Sequence, residues 1–150
     1  MAGFDTPADL IHNRGLIADP SAFARDAHAA SWLFLCGEAF ASAEGGMSYA
    51  DVQAAVPASA NVVSDPPQVM DMELARRQVA ALDELPRPTL VTCRTGPRSS
   101  ALVYVYAGLR AGATPEDVLA RADADGAPFC GSEELRTWVV QGMRELARPR

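Results

Sequence analysis

Residues 92–100 read TCRTGPRSS. The stretch packs a cysteine, two arginines, a glycine and a proline between the β-branched run PTLVTC and the apolar run SSALVYVYAGLRAG. A strand that delivers Cys93 into a tight turn, followed at once by a helix, makes an anion site. Backbone N–H groups turn inward there, and the helix adds unpaired donors and the positive end of its dipole. Gly96 lets the backbone curl without a Cβ clash. Arg98 supplies a planar fork for two anionic oxygens. Pro97 lacks an N–H, so the cradle is one donor short at that position. A sulfur in such a cradle is favoured as the thiolate, the form that attacks. The opposing reading is a buried cysteine at a strand end, with arginines that merely flank a helix.

Outward from this turn the chain reads as a small α/β domain. SWLFLC (31–36), ANVVS (60–64) and TLVTC (89–93) are predicted strands, and Asp65-Pro66-Pro67 stops the second. Helices are predicted over 21–30, capped by Ser21; from a Ser48/Asp51 capping box to Pro57; from Asp71 to about Glu84; and from Ser99 through a stop at Gly112. A further helix runs from Thr114 and Pro115 to Gly126, and the last begins near Ser132. Its stripe of Leu135, Trp138, Val139, Met143 and Leu146 suits a core, and pairing of two copies through that helix stays open. Strand–helix alternation gives a three-layer α/β domain with a mainly parallel sheet. Residues 1–30 read as an arm carrying a helix, and 31–150 as the domain.

Composition sets the outer bounds. At 150 residues the chain can bury one sizeable core. Its formal charge of −6 argues against non-specific nucleic-acid binding. The N-terminal MAGFDTPADL lacks the basic and apolar regions of a secretory signal, and the longest apolar run, Ala101 to Leu109, is too short for a bilayer. A cytoplasmic protein without membrane association is expected. The three cysteines (Cys36, Cys93, Cys130) show no C-x-x-C spacing, and the two histidines (His12, His28) form no cluster, so neither a metal site nor a cofactor is expected. Cys36 reads as a core residue. Cys130, near a helix start, is a candidate to resolve a persulfide or sulfenate on Cys93.

The segment from Pro88 to Gly126 resembles the small bacterial DUF442 domains, also described as the phosphatase-like domain of β-lactamase-hydrolase-like proteins or as sulfur transferases. Their signature is C-R-S-G-x-R-S followed by an apolar helix. Cys93, Arg94, Gly96, Arg98 and Ser99 match, and Thr95 replaces the usual serine. The resemblance implies a tyrosine-phosphatase-like fold, Cys93 as nucleophile and Arg98 as anion clamp. Arg94, Thr95, Gly96, Pro97 and Ser99 then form the substrate-binding loop.

Two chemistries compete at such a loop. Cysteine-dependent phosphatases carry C-x5-R, usually after a histidine, and use an aspartate from a separate loop as acid. Here the loop is C-x4-R after Thr92, and Asp65 is the best-placed acid by sequence, although an aspartate opening a proline turn has the same look. Sulfur transfer needs a thiolate and a positive pocket but no obligatory acid. On this ground the sequence ranks a rhodanese-like sulfurtransferase first, moving sulfur from thiosulfate or a persulfide to an acceptor thiol. Phosphate-ester hydrolysis ranks second. An inactive anion-binding module is the third reading.

Overall fold

Two strands with every residue buried, Ser31–Phe34 and Thr89–Thr92, form the middle of the protein. A strand covered on both faces has no solvent side, and such strands belong to parallel sheets between helical layers. The computed structural model describes residues 6–64 and 70–147. It contains four parallel strands: β1 (Leu10–His12), β2 (Ser31–Phe34), β3 (Ala58–Asn61) and β4 (Thr89–Thr92), in the order β1-β4-β2-β3. Polar atoms inside the central strands bond to each other. Trp32 Nε1 donates to Thr92 Oγ1 at 2.8 Å, and Ser31 Oγ donates to Thr89 Oγ1 at 2.9 Å.

Helices α1 (Pro20–Asp26) and α3 (Tyr49–Ala55) pack together on one face, with the short α2 (Glu38–Ala41) between them in sequence. The other face carries α4 (Met72–Glu84), α5 (Pro97–Ala111), α6 (Pro115–Asp125) and α7 (Glu133–Leu146), with a 3-10 turn at Pro128–Gly131 before α7. This is the expected three-layer α/β architecture. Helix α5 is buried continuously from Ser99 to Gly108, which explains a sequence that is apolar nearly all round. The α7 stripe of Leu135, Trp138, Val139 and Met143 is buried and packs on α5 of the same chain. The stripe, with Leu146 partly buried at its end, is thus spent on this chain's own core.

Three sequence expectations shift. Residues 10–13 are not an appendage: β1 pairs with β4 along Leu10–Thr89, Ile11–Leu90 and His12–Val91, so part of the expected arm is an edge of the sheet. The second strand lies at Ala58–Asn61 rather than 60–64; Val62 N–H still bonds Phe34 O at 3.1 Å, but the ladder proper ends earlier. The α1 cap is Asp19, whose carboxylate accepts from Ala22 N–H, and Pro20 takes the first helical position, where no N–H is needed. The Ser48 capping box and the Thr114 and Asp71 caps form as expected.

Candidate functional site

The site grows from the C-terminal ends of β1 and β4, the edge at which open parallel sheets bind ligands. Strand β4 ends at Thr92, and Cys93 begins the turn into α5. Gly96 caps that helix at φ +117°, a conformation few side chains allow. A Cβ there would lie 2.3 Å from the backbone oxygen of Asn13 and 3.2 Å from Pro128 Cγ, so only glycine lets the turn close.

The turn wraps the sulfur. Gly96 N–H donates to Cys93 Sγ at 3.2 Å and Ser99 N–H donates to it at 3.3 Å. The regular bonds of α5 begin with Ser100 N–H to Gly96 O at 2.9 Å, so Ser99 N–H is one of the first-turn donors that a helix leaves unspent. Pro97 occupies the first helical position, where its missing N–H costs nothing. Cys93 is 1% exposed: the sulfur lies at the bottom of the turn, facing partial positive charge. Ser99 Oγ lies 3.5 Å from Sγ and donates to Asn13 Oδ1 at 2.8 Å.

The two arginines of the turn lie in different surroundings. Arg94 lays its guanidinium over the Phe40 ring of α2, 5.1 Å from the centroid. Thr95 is exposed. Arg98 lines a cleft of about 300 Å³ with Ser64, Met70, Pro97, Ser132, Glu134 and Leu135. Its Nε is buried with no hydrogen-bond partner among the described residues. Counting from Cys93, the sixth position is Ser99, and its backbone and hydroxyl lie against the sulfur. The shortened loop thus puts a serine where C-x5-R puts an arginine. Asp65 lies outside the described residues.

Cys130 sits away from the role expected of it. Its thiol hydrogen-bonds Asp123, and burial, reinforced by that carboxylate, pushes it up to about 11. Such a thiol keeps its proton near neutrality and is a poor resolving nucleophile. Cys36 is buried, as a core residue should be. Among the described residues no group of His, Cys, Asp and Glu could hold a metal ion, and no helix is long and apolar enough to cross a membrane.

Sequence reasoning missed Asn13. It follows β1 directly, is 2% exposed, and bonds both Cys93 and Ser99. The signal available was weak: a polar residue after the short stretch LIH, read as part of an arm.

No protein-family model and no curated protein matches the chain. Solved structures do. The phosphatase domain of Yvh1 from Chaetomium thermophilum matches with a TM-score of 0.67 at 12% identity, covering 98% of each chain. The core catalytic domain of the PP-IP phosphatase SIW14 from S. cerevisiae, in complex with citrate, matches at 0.63 and 11% identity, over 92% of this chain and 86% of that one. A DUF442 protein from Shewanella putrefaciens matches at 0.60 and 17% identity, over 91% and 89%. The chain therefore has the tyrosine-phosphatase-like fold that the cysteine turn and the parallel sheet lead one to expect.

Proposed function

We propose that the protein is a cysteine-dependent phosphatase that hydrolyses phosphate monoesters through a phosphorylated Cys93. The observation that carries this reading is the sulfur at the start of a 15-residue helix, receiving two amide N–H groups at 3.2 and 3.3 Å. Proteins whose structures match across nine-tenths of the chain are described as phosphatases, which moves hydrolysis ahead of sulfur transfer.

In the first step the Cys93 thiolate attacks phosphorus. An S–P bond forms, and the P–O bond to the leaving alcohol breaks with its electron pair on oxygen. Loop amides and Arg98 hold the equatorial oxygens, the positions where charge must be matched. Asp65 is the proposed donor of the proton to the leaving oxygen; aryl esters, whose leaving oxygen is stable as an anion, need it least. Water then attacks phosphorus, the S–P bond breaks, and the thiolate returns as inorganic phosphate departs.

One observation supports a second reading. The loop is one residue shorter than C-x5-R, and the sulfur is enclosed within it. A tighter turn suits attack on the outer sulfur of thiosulfate or a persulfide, with the sulfur then passed to an acceptor thiol. Aryl-phosphate hydrolysis and thiosulfate:cyanide sulfur transfer, run side by side with Cys93→Ser as control, separate the two. Phosphate release that Cys93→Ser abolishes is the expected result. Sulfur transfer without phosphate release, and a protein mass raised by one sulfur after thiosulfate, overturns it.

A further inference from the structure

One side chain from outside the cysteine turn bonds it at several points. Asn13 Oδ1 accepts from Cys93 N–H at 3.3 Å and from Ser99 Oγ–H at 2.8 Å. Its Nδ2 donates to Cys93 O at 3.0 Å, to Arg94 O at 3.3 Å and to Gly15 O at 3.0 Å. The backbone oxygen of the same residue closes against Gly96. Among uncharged side chains only a carboxamide offers an acceptor and two donors in one rigid plane, and here both ends are used while the group is 2% exposed. Strands β1 and β4 lie side by side behind it, and this side chain bonds the residue after β1 to the turn that leaves β4, fixing the turn relative to the sheet.

We infer that Asn13 is the positioning residue of the site, acting on Cys93 through Ser99 and the first two peptides of the turn. The Ser99 hydroxyl proton reaches Asn13 Oδ1 at 2.8 Å and Gly96 O at 3.2 Å; placed on the nearer acceptor, Asn13, it leaves Oγ lone pairs toward the sulfur at 3.5 Å, where Oγ accepts the thiol proton. Once that proton leaves, the Ser99 hydroxyl rotates to donate to the thiolate, and Asn13 Oδ1 retains the Cys93 N–H. The carboxamide thus keeps the turn in place through both states of the sulfur. The role rests on Cys93 as the reacting atom, whichever group it receives.

Asn13→Asp preserves the shape and reverses the donor end, setting an anionic oxygen against the carbonyls of Cys93, Arg94 and Gly15. Of the cations next to it in the chain or on the turn, Arg14 bonds Gly126 O and Asp125 O, Arg94 lies over the Phe40 ring and Arg98 lines the cleft with Ser64, while burial holds His12 below its ordinary value. The rate of Cys93 alkylation by iodoacetamide at fixed pH, read by peptide mass, reports the sulfur without assuming any substrate. It is expected to fall about tenfold in Asn13→Asp, the scale of a small misplacement of a reacting group. The kcat for an aryl phosphate, normalised to the folded fraction from the thermal melt, falls by a similar factor with KM within about twofold; a merely destabilised protein, so normalised, keeps the wild-type kcat. Ser99→Ala slows alkylation in the same direction, and in that background Asn13→Asp adds less than it does alone. A folded Asn13→Asp protein, checked by its thermal melt, that alkylates at the wild-type rate overturns the inference, as does full additivity of the pair. If Asn13→Asp does not fold, Ser99→Ala decides alone, and an unchanged alkylation rate sinks the role. A wild-type protein that releases no phosphate while alkylation still depends on Asn13 removes the phosphatase reading and leaves this one standing.

Discussion

The two ends of β4 treat arginine in opposite ways. At the N-terminal end Arg87 donates to Leu82 O, Leu85 O and Thr89 Oγ1 and to the Tyr106 hydroxyl, which donates to Asp83 at 2.6 Å. Arg110 pairs with the same Asp83, and both guanidiniums lie over the Tyr106 ring, at 5.4 and 4.7 Å. Every cation in that cluster is matched by an acceptor within the fold. At the C-terminal end Arg98 keeps a buried Nε with no partner among the described residues. An unpaired buried polar group costs about 1–3 kcal/mol, so a chain retains one where something else is served. The closed cluster fastens the sheet to α4 and α5, whereas Arg98, in a cleft that Glu134 also lines, is the anion clamp of the proposed phosphatase.

The comparison breaks most severely at Gly96. Gly96→Ala would place a methyl 2.3 Å from Asn13 O on a backbone at φ +117°. The expected result is a loss of kcat of about 100-fold or more, with about 2 kcal/mol of lost stability by urea titration. A variant with near-native turnover would show that the turn does not need its present shape.

Arg98→Ala and Arg110→Ala form the matched pair. Arg98→Ala should raise KM for a phosphate ester roughly tenfold or more, since a charge-assisted pair to the ligand is lost, while the melting temperature holds or rises because an orphaned group is removed. Arg110→Ala should leave kinetics unchanged and lower stability by up to about 1 kcal/mol, the pair being half-exposed. That penalty has a pH signature. Burial would raise the Asp83 carboxyl, but hydrogen bonds from Tyr106 and Arg110 outweigh it and hold the group below its ordinary value. A depressed carboxylate contributes stability above the unfolded value of about 4 and loses it as pH falls through the folded one. The gap between wild type and Arg110→Ala should therefore narrow below about pH 4. Equal kinetic loss in both variants would erase the distinction between the two ends.

What was legible in the sequence is what lies within a few residues. The cysteine turn, the Ser48 capping box, the Thr114–Pro115 start and the stop at Gly126 are local chemistry, and each forms where the residues place it. Helix α5, apolar nearly all round, announced its own burial. Strand β1 did not, because three residues carry no period and its pairing comes from β4, about 80 positions away. Asn13 was hidden for the same reason: its partners are 80 and 86 residues distant. In β3 the valines at 62 and 63 drew the end of the expected strand three residues too far, since apolar side chains mark burial and not ladder register. The direction of Arg98 was equally out of reach. Spacing says that it follows Cys93 by five, but its azimuth depends on how tightly the intervening residues curl.

The smallest expected effect concerns the second thiol near the site, which sharpens the contrast between an enclosed sulfur that receives amide N–H groups and a half-buried one held against a carboxylate. Burial first, and then the Asp123 carboxylate, hold Cys130 up to about 11, against a weaker opposing pull from Arg136. At pH 8 it should stay almost wholly protonated and label slowly with iodoacetamide. Asp123→Asn removes the like charge and releases Arg136, which now pairs with Asp123 at 2.8 Å. Both changes favour the thiolate, yet burial remains the larger cause, so the acceleration should be modest, about threefold, because rate follows the thiolate fraction. Peptide mass spectrometry of the two cysteines in one sample measures it, with Cys93 as internal reference whose rate the substitution leaves alone. Labelling of Cys130 at the rate of a free solvent-exposed thiol in the unaltered protein would return it to candidacy as a partner for Cys93. It would also show that the Asp123 contact does not hold in solution.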